Sequence, residues 1–186
     1  MSFSIPLPKL SLQRVASLSI LLALDLTITR LTTITLIPYQ LVFSLRFLVD
    51  TVIGMIGGPV WAFVSLGLFD IIDTLTSGGG SFIIWYLLVE AVQGFFYGLF
   101  FYGKRLNASN TRHWLYVSIA TIVIMGIGTF TLTPLLTQIY FHTPIVAQYA
   151  SGRWLKIFEI PIRICLTMLV IPGLQTIPEL RKLANL

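Results

Sequence analysis

Gly54-Met55-Ile56-Gly57-Gly58-Pro59 divides one long apolar stretch, about Leu41 to Thr74, into two runs. Proline has its φ fixed at about −65° and suits the first turn of a helix, while adjacent glycines accept the backbone angles of a tight reversal. The stretch therefore reads as two short membrane helices, about Leu41 to Ile56 and Pro59 to Thr74, joined at their ends.

The rest of the chain repeats the pattern. Further apolar runs cover about Ser11 to Thr29, Phe82 to Tyr102, His113 to Phe141 and Arg153 to Leu174. Each is on the order of 20 residues, the length that crosses a bilayer core of ~30 Å. The 186 residues are 56% hydrophobic and only 10% charged, against about 25% charged in an ordinary soluble domain. A backbone in lipid must satisfy its own hydrogen bonds, so the spans are expected to be helices. The period-2 alternation of an outer-membrane barrel is absent. The expected fold class is all-α: a polytopic bundle of about six transmembrane helices, one unit over residues 1–186, with the lipid bilayer as its solvent. The first run lacks a small-residue cleavage site and reads as a retained span rather than a signal peptide. Pro134 is expected to kink or end the fifth span, and Pro161 to bend the sixth. Cys165 is the single cysteine and reads as buried filler.

Basic residues orient the bundle. Lys9 and Arg14 precede span one, Lys104, Arg105 and Arg112 separate spans four and five, and Arg181 and Lys182 lie in the tail. With six spans these three places share one side, which the positive-inside rule makes cytoplasmic, together with both termini. Asn107-Ala108-Ser109 matches a glycosylation triplet but falls on that inner side, so the match carries no function.

The remaining charges are biased toward the other side. Five basic residues (Arg30, Arg46, Arg153, Lys156, Arg163) and six acidic ones (Asp25, Asp50, Asp70, Asp73, Glu90, Glu159) fall at mid-span or in the outer halves. Charges inside a membrane are costly and face a bundle interior or a water-filled cavity. Pure structural pairing has no reason to avoid the inner halves, so the bias implies a polar cavity opening outward. Within it, Arg46 and Asp50 are spaced to pair on one helix face. Lys156 and Glu159 are expected to satisfy each other and leave Arg163 freer. Glu90 and Gln93 lie beneath Trp85 and Tyr86, which suits a flat, hydrogen-bonding ligand, although aromatics at this level also serve as interface belts.

Other chemistries lack their residues. No G-x-x-x-x-G-K-[ST] loop for ATP is present, no histidines have zinc spacing, and no metal site or cofactor is expected. His113 and His142 stand alone. The basic residues are scattered, which gives no footprint for nucleic acid. Neither inverted repeats nor paired broken helices of a secondary transporter are visible.

The residues also resemble a known family, the folate-family substrate-binding subunits (S components) of energy-coupling factor (ECF) vitamin transporters, over roughly Ala16 to Pro161. The segment from Gly54 to Pro59 is similar to a G-M-x-x-G-P turn. Asp70 is similar to the family's acid in the next span, and Ser77 to Gly80 to its short Ser/Gly loop. Tyr97-Gly98-Leu99-Phe100-Phe101-Tyr102 is similar to its Y-G-L-F-x-Y segment. Arg30 is similar to the arginine closing span one, and Arg153-Trp154-Leu155-Lys156 to an R-x-x-K. Their shared order and spacing carry the resemblance.

That resemblance implies a bacterial plasma-membrane subunit without enzymatic activity, which binds a small-molecule vitamin outside. It implies docking on a membrane-embedded coupling subunit that carries two ATPases, with Ala16, Ser19 and Ala23 of span one at the interface and about Leu31 to Gln40 as a lid. The expected substrate-binding set is Arg46, Asp50, Asp70, Trp85, Tyr86, Glu90, Gln93, Lys156, Glu159 and Arg163. Two features depart from the folate pattern. Ser44-Leu45-Arg46-Phe47-Leu48-Val49-Asp50 carries charges where a small or apolar run is usual, and Glu90 replaces a small residue. A folate-like vitamin is the first reading, with a hydroxymethylpyrimidine or a pyridoxine-like ring as the alternative. A stand-alone secondary transporter or a ligand-free membrane scaffold remain the other classes.

Overall fold

The computed structural model describes residues 8–37, 41–77 and 84–186. Residues 38–40 of the expected lid and 78–80 of the Ser/Gly loop lie outside that set.

Helix α1 (Leu12–Thr32) begins at Ser11, whose hydroxyl accepts the Arg14 N–H at 3.2 Å and so caps the first turn. Two short strands follow, β1 (Ile34–Ile37) and β2 (Leu41–Phe43), paired antiparallel with Ile34 opposite Phe43 and Thr35 opposite Val42. The apolar run of span two reads as helix from about Leu41. The β-branched and apolar residues on both sides of Pro38 instead pair as a hairpin, and helix starts only at Phe47.

Helix α2 (Phe47–Ser77) contains the Gly-Pro stretch. Gly58 has φ 66° and ψ −177°, a conformation that interrupts the helix and favours glycine. The chain folds back there. Arg46 and Phe69 are 23 residues apart, roughly 34 Å along a straight helix, yet the Arg46 guanidinium carbon stands 3.7 Å from the Phe69 ring centroid. The two arms, 47–57 and 59–77, are thus antiparallel. Among the described residues five stretches are long and apolar enough to cross a membrane, and α2 is one of them. Its reversal brings the bundle to about six helical segments, all-α apart from the hairpin.

Helix α3 (Ile84–Phe101) packs into the groove of this hairpin through small residues. A Cβ on Gly54 would stand 2.6 Å from the Tyr97 carbonyl carbon, and one on Gly98 would overlap the Gly58 carbonyl. Gly94 faces the Ala62 backbone in the same way. Small residues at these crossings let the backbones meet.

Helix α4 (Thr111–Met125) is capped by Asn110, whose side chain accepts the Arg112 N–H at 3.0 Å. It widens into a π-helical segment, Gly126–Leu132, before α5 (Thr133–Phe141). Thr133 donates five residues back to the Gly128 carbonyl, and Pro134, in the first turn of α5, has no N–H to continue that series to Thr129, whose carbonyl instead accepts from the Arg153 guanidinium at 3.2 Å. The Tyr149 hydroxyl donates to the neighbouring Phe130 carbonyl at 2.7 Å and ties α6 to the same segment. After α6 (Ile145–Ala150), residues Arg153–Phe158 form a 3-10 turn and α7 (Glu159–Leu174) completes the span. Pro161 therefore lies in the first turn of α7, where proline is tolerated, and the break in the span falls at the change of helix type before Glu159. Cys165 is exposed on α7, facing outward from the bundle rather than filling its core.

A short helix α8 (Pro178–Leu183) ends the chain. The Arg14 guanidinium donates to the Leu183 carbonyl at 2.9 Å, Trp61 donates to the Pro8 carbonyl at 3.0 Å, and Asn185 donates to the Tyr102 hydroxyl at 2.5 Å. Gln175 donates to the Lys104 carbonyl at 2.9 Å. Both described termini, the Gly58 reversal and the α3–α4 loop thus meet at one end, where the basic clusters are found. At the opposite end Arg30 of α1 pairs with Asp73 of α2 at 2.7 Å.

Candidate functional site

The short first arm of α2 decides how deep the site lies. Its residues, 47–57, rise roughly 16 Å from the reversal, about half of a ~30 Å bilayer core. Arg46 at its tip is therefore near mid-depth, and a polar cavity of about 260 Å³ opens beside it. The β2 side contributes Val42 and Ser44; α2 contributes Phe47 and Asp50; α3 contributes Glu90 and Gln93. The facing wall holds Thr129, Thr133, Arg153, Lys156 and Arg163.

One wall is a carboxylate cluster around a single cation. Arg46 Nη2 lies 2.8 Å from Glu90 Oε2, and its Nε lies 3.4 Å from Asp25 and 3.5 Å from Asp50. Asp25 is fully buried on α1, a helix with few other buried residues. Arg46 therefore ties α1, α2 and α3 together, and Phe69 covers the face of its guanidinium. One positive charge meets three carboxyl groups, so this wall has acceptor capacity to spare.

The other wall is basic. Arg163 is bound by Glu159 one turn before it, at 2.6 Å, and donates to the Tyr97 hydroxyl at 3.2 Å. Arg153 is buried and donates to the Thr129 carbonyl at 3.2 Å. The expected Lys156–Glu159 pair is not formed. Lys156 belongs to the 3-10 turn, which advances about 120° per residue instead of the 100° of an α-helix. Glu159 is the first residue of α7 and pairs within it, so Arg163 is held and Lys156 lines the cavity with no ion-pair partner among the described residues.

Of the ten residues expected from the sequence, the structure brings six to the cavity: Arg46, Asp50, Glu90, Gln93, Lys156 and Arg163. Four are elsewhere. Glu159 is buried behind Arg163. Asp70 follows Phe69 and is half-buried outside the lining. The Tyr86 hydroxyl is 3.2 Å from Thr137 and joins α3 to α5. Trp85 lies on an apolar groove between those helices, with Leu88 and Leu136. Val42, Ser44, Phe47, Thr129, Thr133 and Arg153 complete the lining and were not in the expected set. Thr129 and Thr133, four apart and so on one face of a largely apolar span, were the legible signal among them. Ala16, Ser19 and Ala23 are all exposed on α1, while Arg14, Leu18 and Asp25 face inward.

The cavity offers carboxylate acceptors on one side and, on the other, an ammonium with no ion-pair partner among the described residues. Among the described residues no three histidine, cysteine or acidic side chains converge on a metal-sized site. The family model of the ECF-type riboflavin transporter S component matches residues 9–175. The chain belongs to the ECF transporter S-component family. This S component is 61% identical over 178 residues to the folate transporter FolT of Streptococcus mutans serotype c, covering 96% of this chain and 95% of that one. A second folate transporter FolT, from Leuconostoc mesenteroides subsp. mesenteroides, is 24% identical over 162 residues, 84% of this chain and 83% of that one. The crystal structure of a FolT bound with folic acid superposes with a TM-score of 0.75 at 23% identity, covering 85% of this chain and 93% of that one. That likeness establishes the shared fold. The S component is accordingly a multi-pass membrane transport subunit, and its relatives are named as transporters rather than enzymes.

Proposed function

We propose that this S component captures a folate in the polar cavity and delivers it inward through a membrane-embedded coupling subunit driven by two ATPases. The observation that carries this reading is the division of the cavity into two walls. The pterin edge presents several N–H donors, which suit the carboxyl groups of Asp50 and Glu90. The tail of a folate ends in carboxylates, which suit the unpaired Lys156. The near-full-length 61% identity to a folate transporter supports the same ligand. The family-wide model carries riboflavin in its name, but a relative this similar bears more closely on the ligand.

At about 260 Å³ the cavity is a little smaller than the ~300–1,000 Å³ usual for ligand sites. Val42 and Ser44 form part of its rim, so the tail of the ligand extends past the β1–β2 hairpin, which acts as the lid. The basic end of the bundle lies in the cytoplasm of a bacterium by the positive-inside rule, and the cavity opens outward. The exposed Ala16, Ser19 and Ala23 face of α1 supplies the docking surface.

Mass spectrometry of small molecules released from the purified protein tests the ligand, and folic acid or a reduced folate is expected. Proteoliposomes test the coupling. The S component alone is expected to bind radiolabelled folic acid without accumulating it, and ATP-dependent uptake is expected only with the coupling module. Full uptake by this chain alone under a proton gradient would instead make it a secondary transporter.

A further inference from the structure

At the end of the bundle opposite the ligand cavity, a second cavity of about 460 Å³ opens between the α3–α4 loop and the far end of α7. Arg105, Asn107 and His113 line it on one side, Pro172 and Thr176 on the other. Gln175 braces the two sides. Its Oε1 accepts the Leu106 N–H at 2.8 Å and its Nε2 donates to the Lys104 carbonyl at 2.9 Å. Gln175 is only 6% exposed, so the loop is fastened to α7 from within.

The hydrogen bonds of the wall leave donors and few acceptors. Asn107 Oδ1 accepts the Ser109 N–H at 2.9 Å, which leaves its amide hydrogens uncommitted. His113 Nδ1 accepts the Asn107 N–H at 2.8 Å, which places the hydrogen of the neutral ring on Nε2. The Arg105 guanidinium makes no ion pair among the described residues. No carboxylate lines the cavity, and Glu179 is the sole acidic side chain at this end among the described residues. Three donor groups with no opposing acid make a receptor for an anion.

The approach to the cavity is apolar. Ile162, Cys165 and Leu169 are exposed on α7, spaced so that they share one helix face with Pro172, and Thr176 follows in the turn after the helix. Leu169 is 70% exposed. This lipid-facing stripe runs into the cavity mouth. We propose that the cavity seats the phosphate headgroup of an anionic phospholipid, held by Arg105, Asn107 and His113, with an acyl chain along the α7 stripe. Basic pockets between helices on the cytoplasmic side of a membrane suit such headgroups. A soluble phosphate would use the same donors and gain nothing from the stripe.

The test is native mass spectrometry of the full-length protein in detergent, titrated with dioleoyl phosphatidylglycerol, with dioleoyl phosphatidylcholine, or with inorganic phosphate. Retention of phosphatidylglycerol over phosphatidylcholine is expected. Arg105→Ala should weaken phosphatidylglycerol binding about tenfold or more, the usual effect of losing a hydrogen bond to a charged group. Arg105→Lys should lie between the two, and Arg112→Ala, outside the cavity, should bind as the wild type does. An unchanged melting temperature for Arg105→Lys in lipid-free detergent keeps the comparison independent of folding. Equal retention of both lipids, or phosphate binding as tight as phosphatidylglycerol binding, would overturn the proposal. So would an Arg105→Ala variant that keeps its lipid but no longer assembles with the coupling subunit, since the surface would then be a protein-docking site.

Discussion

Glu90→Gln separates a ligand contact from a structural one, because the geometry around Arg46 lets the two be told apart. Glu90 holds Arg46 at 2.8 Å and its side chain is 26% exposed. Removing its charge does not orphan the guanidinium, which keeps Asp25 at 3.4 Å and Asp50 at 3.5 Å. The amide oxygen of glutamine can still accept from Arg46, and the substitution relieves a wall where three carboxyl groups meet one cation. Because no buried charge is left unpaired, the stability change is expected to stay within about 1 kcal/mol, the net contribution of a typical hydrogen bond. The ligand loses more. A hydrogen bond from a pterin N–H to a carboxylate is worth ~1.5–3 kcal/mol, which corresponds to a roughly tenfold to hundredfold weaker Kd. Calorimetric titration and a melting curve on the same purified variant measure both quantities. Unchanged affinity with a lowered melting temperature would refute the reasoning and make Glu90 a structural partner of Arg46 alone.

Lys156→Met should weaken binding of folic acid by about tenfold or more while leaving the melting temperature unchanged, because Lys156 lacks an ion-pair partner among the described residues; a loss of stability equal to the loss of affinity would count against it. Arg46→Met should destabilise the bundle by about 3–5 kcal/mol, since it leaves buried carboxylates uncompensated, and unfolding in a denaturing-detergent series checks this. Ser19→Trp or Ala23→Trp should block co-purification with the coupling subunit while folic acid still binds, because both side chains are exposed on α1; a variant that assembles and transports normally would move the docking face elsewhere.

The helical membrane class, the reversal after Gly57 and the gathering of span charges away from the basic end were legible because each follows from local chemistry: apolar run length, Gly-Pro backbone limits and the cost of charge in lipid. Partner choice was not. Glu159 could reach Lys156 at i−3 or Arg163 at i+4, and only the change from 3-10 to α-helix between Phe158 and Glu159 selects the second. Arg46 and Glu90 are 44 positions apart, so their contact depends on how α3 seats in the α2 hairpin, which Gly54 and Gly98 permit. The β1–β2 hairpin was hidden inside what read as a helical span and its flank. Thr33-Ile34-Thr35 is rich in β-branched residues and could have marked it. The π-helical segment left no mark beyond Pro134, and the donor to the Thr129 carbonyl that this proline cannot serve comes from Arg153, 24 residues beyond it.

Titration of folic acid and of riboflavin into the same purified, detergent-solubilised protein tests the central claim most directly. Folic acid is expected to saturate one site per chain, and riboflavin to give no binding heat and no displacement of bound folic acid. Saturable binding of riboflavin with no response to folic acid would contradict the assignment of the cavity to a folate.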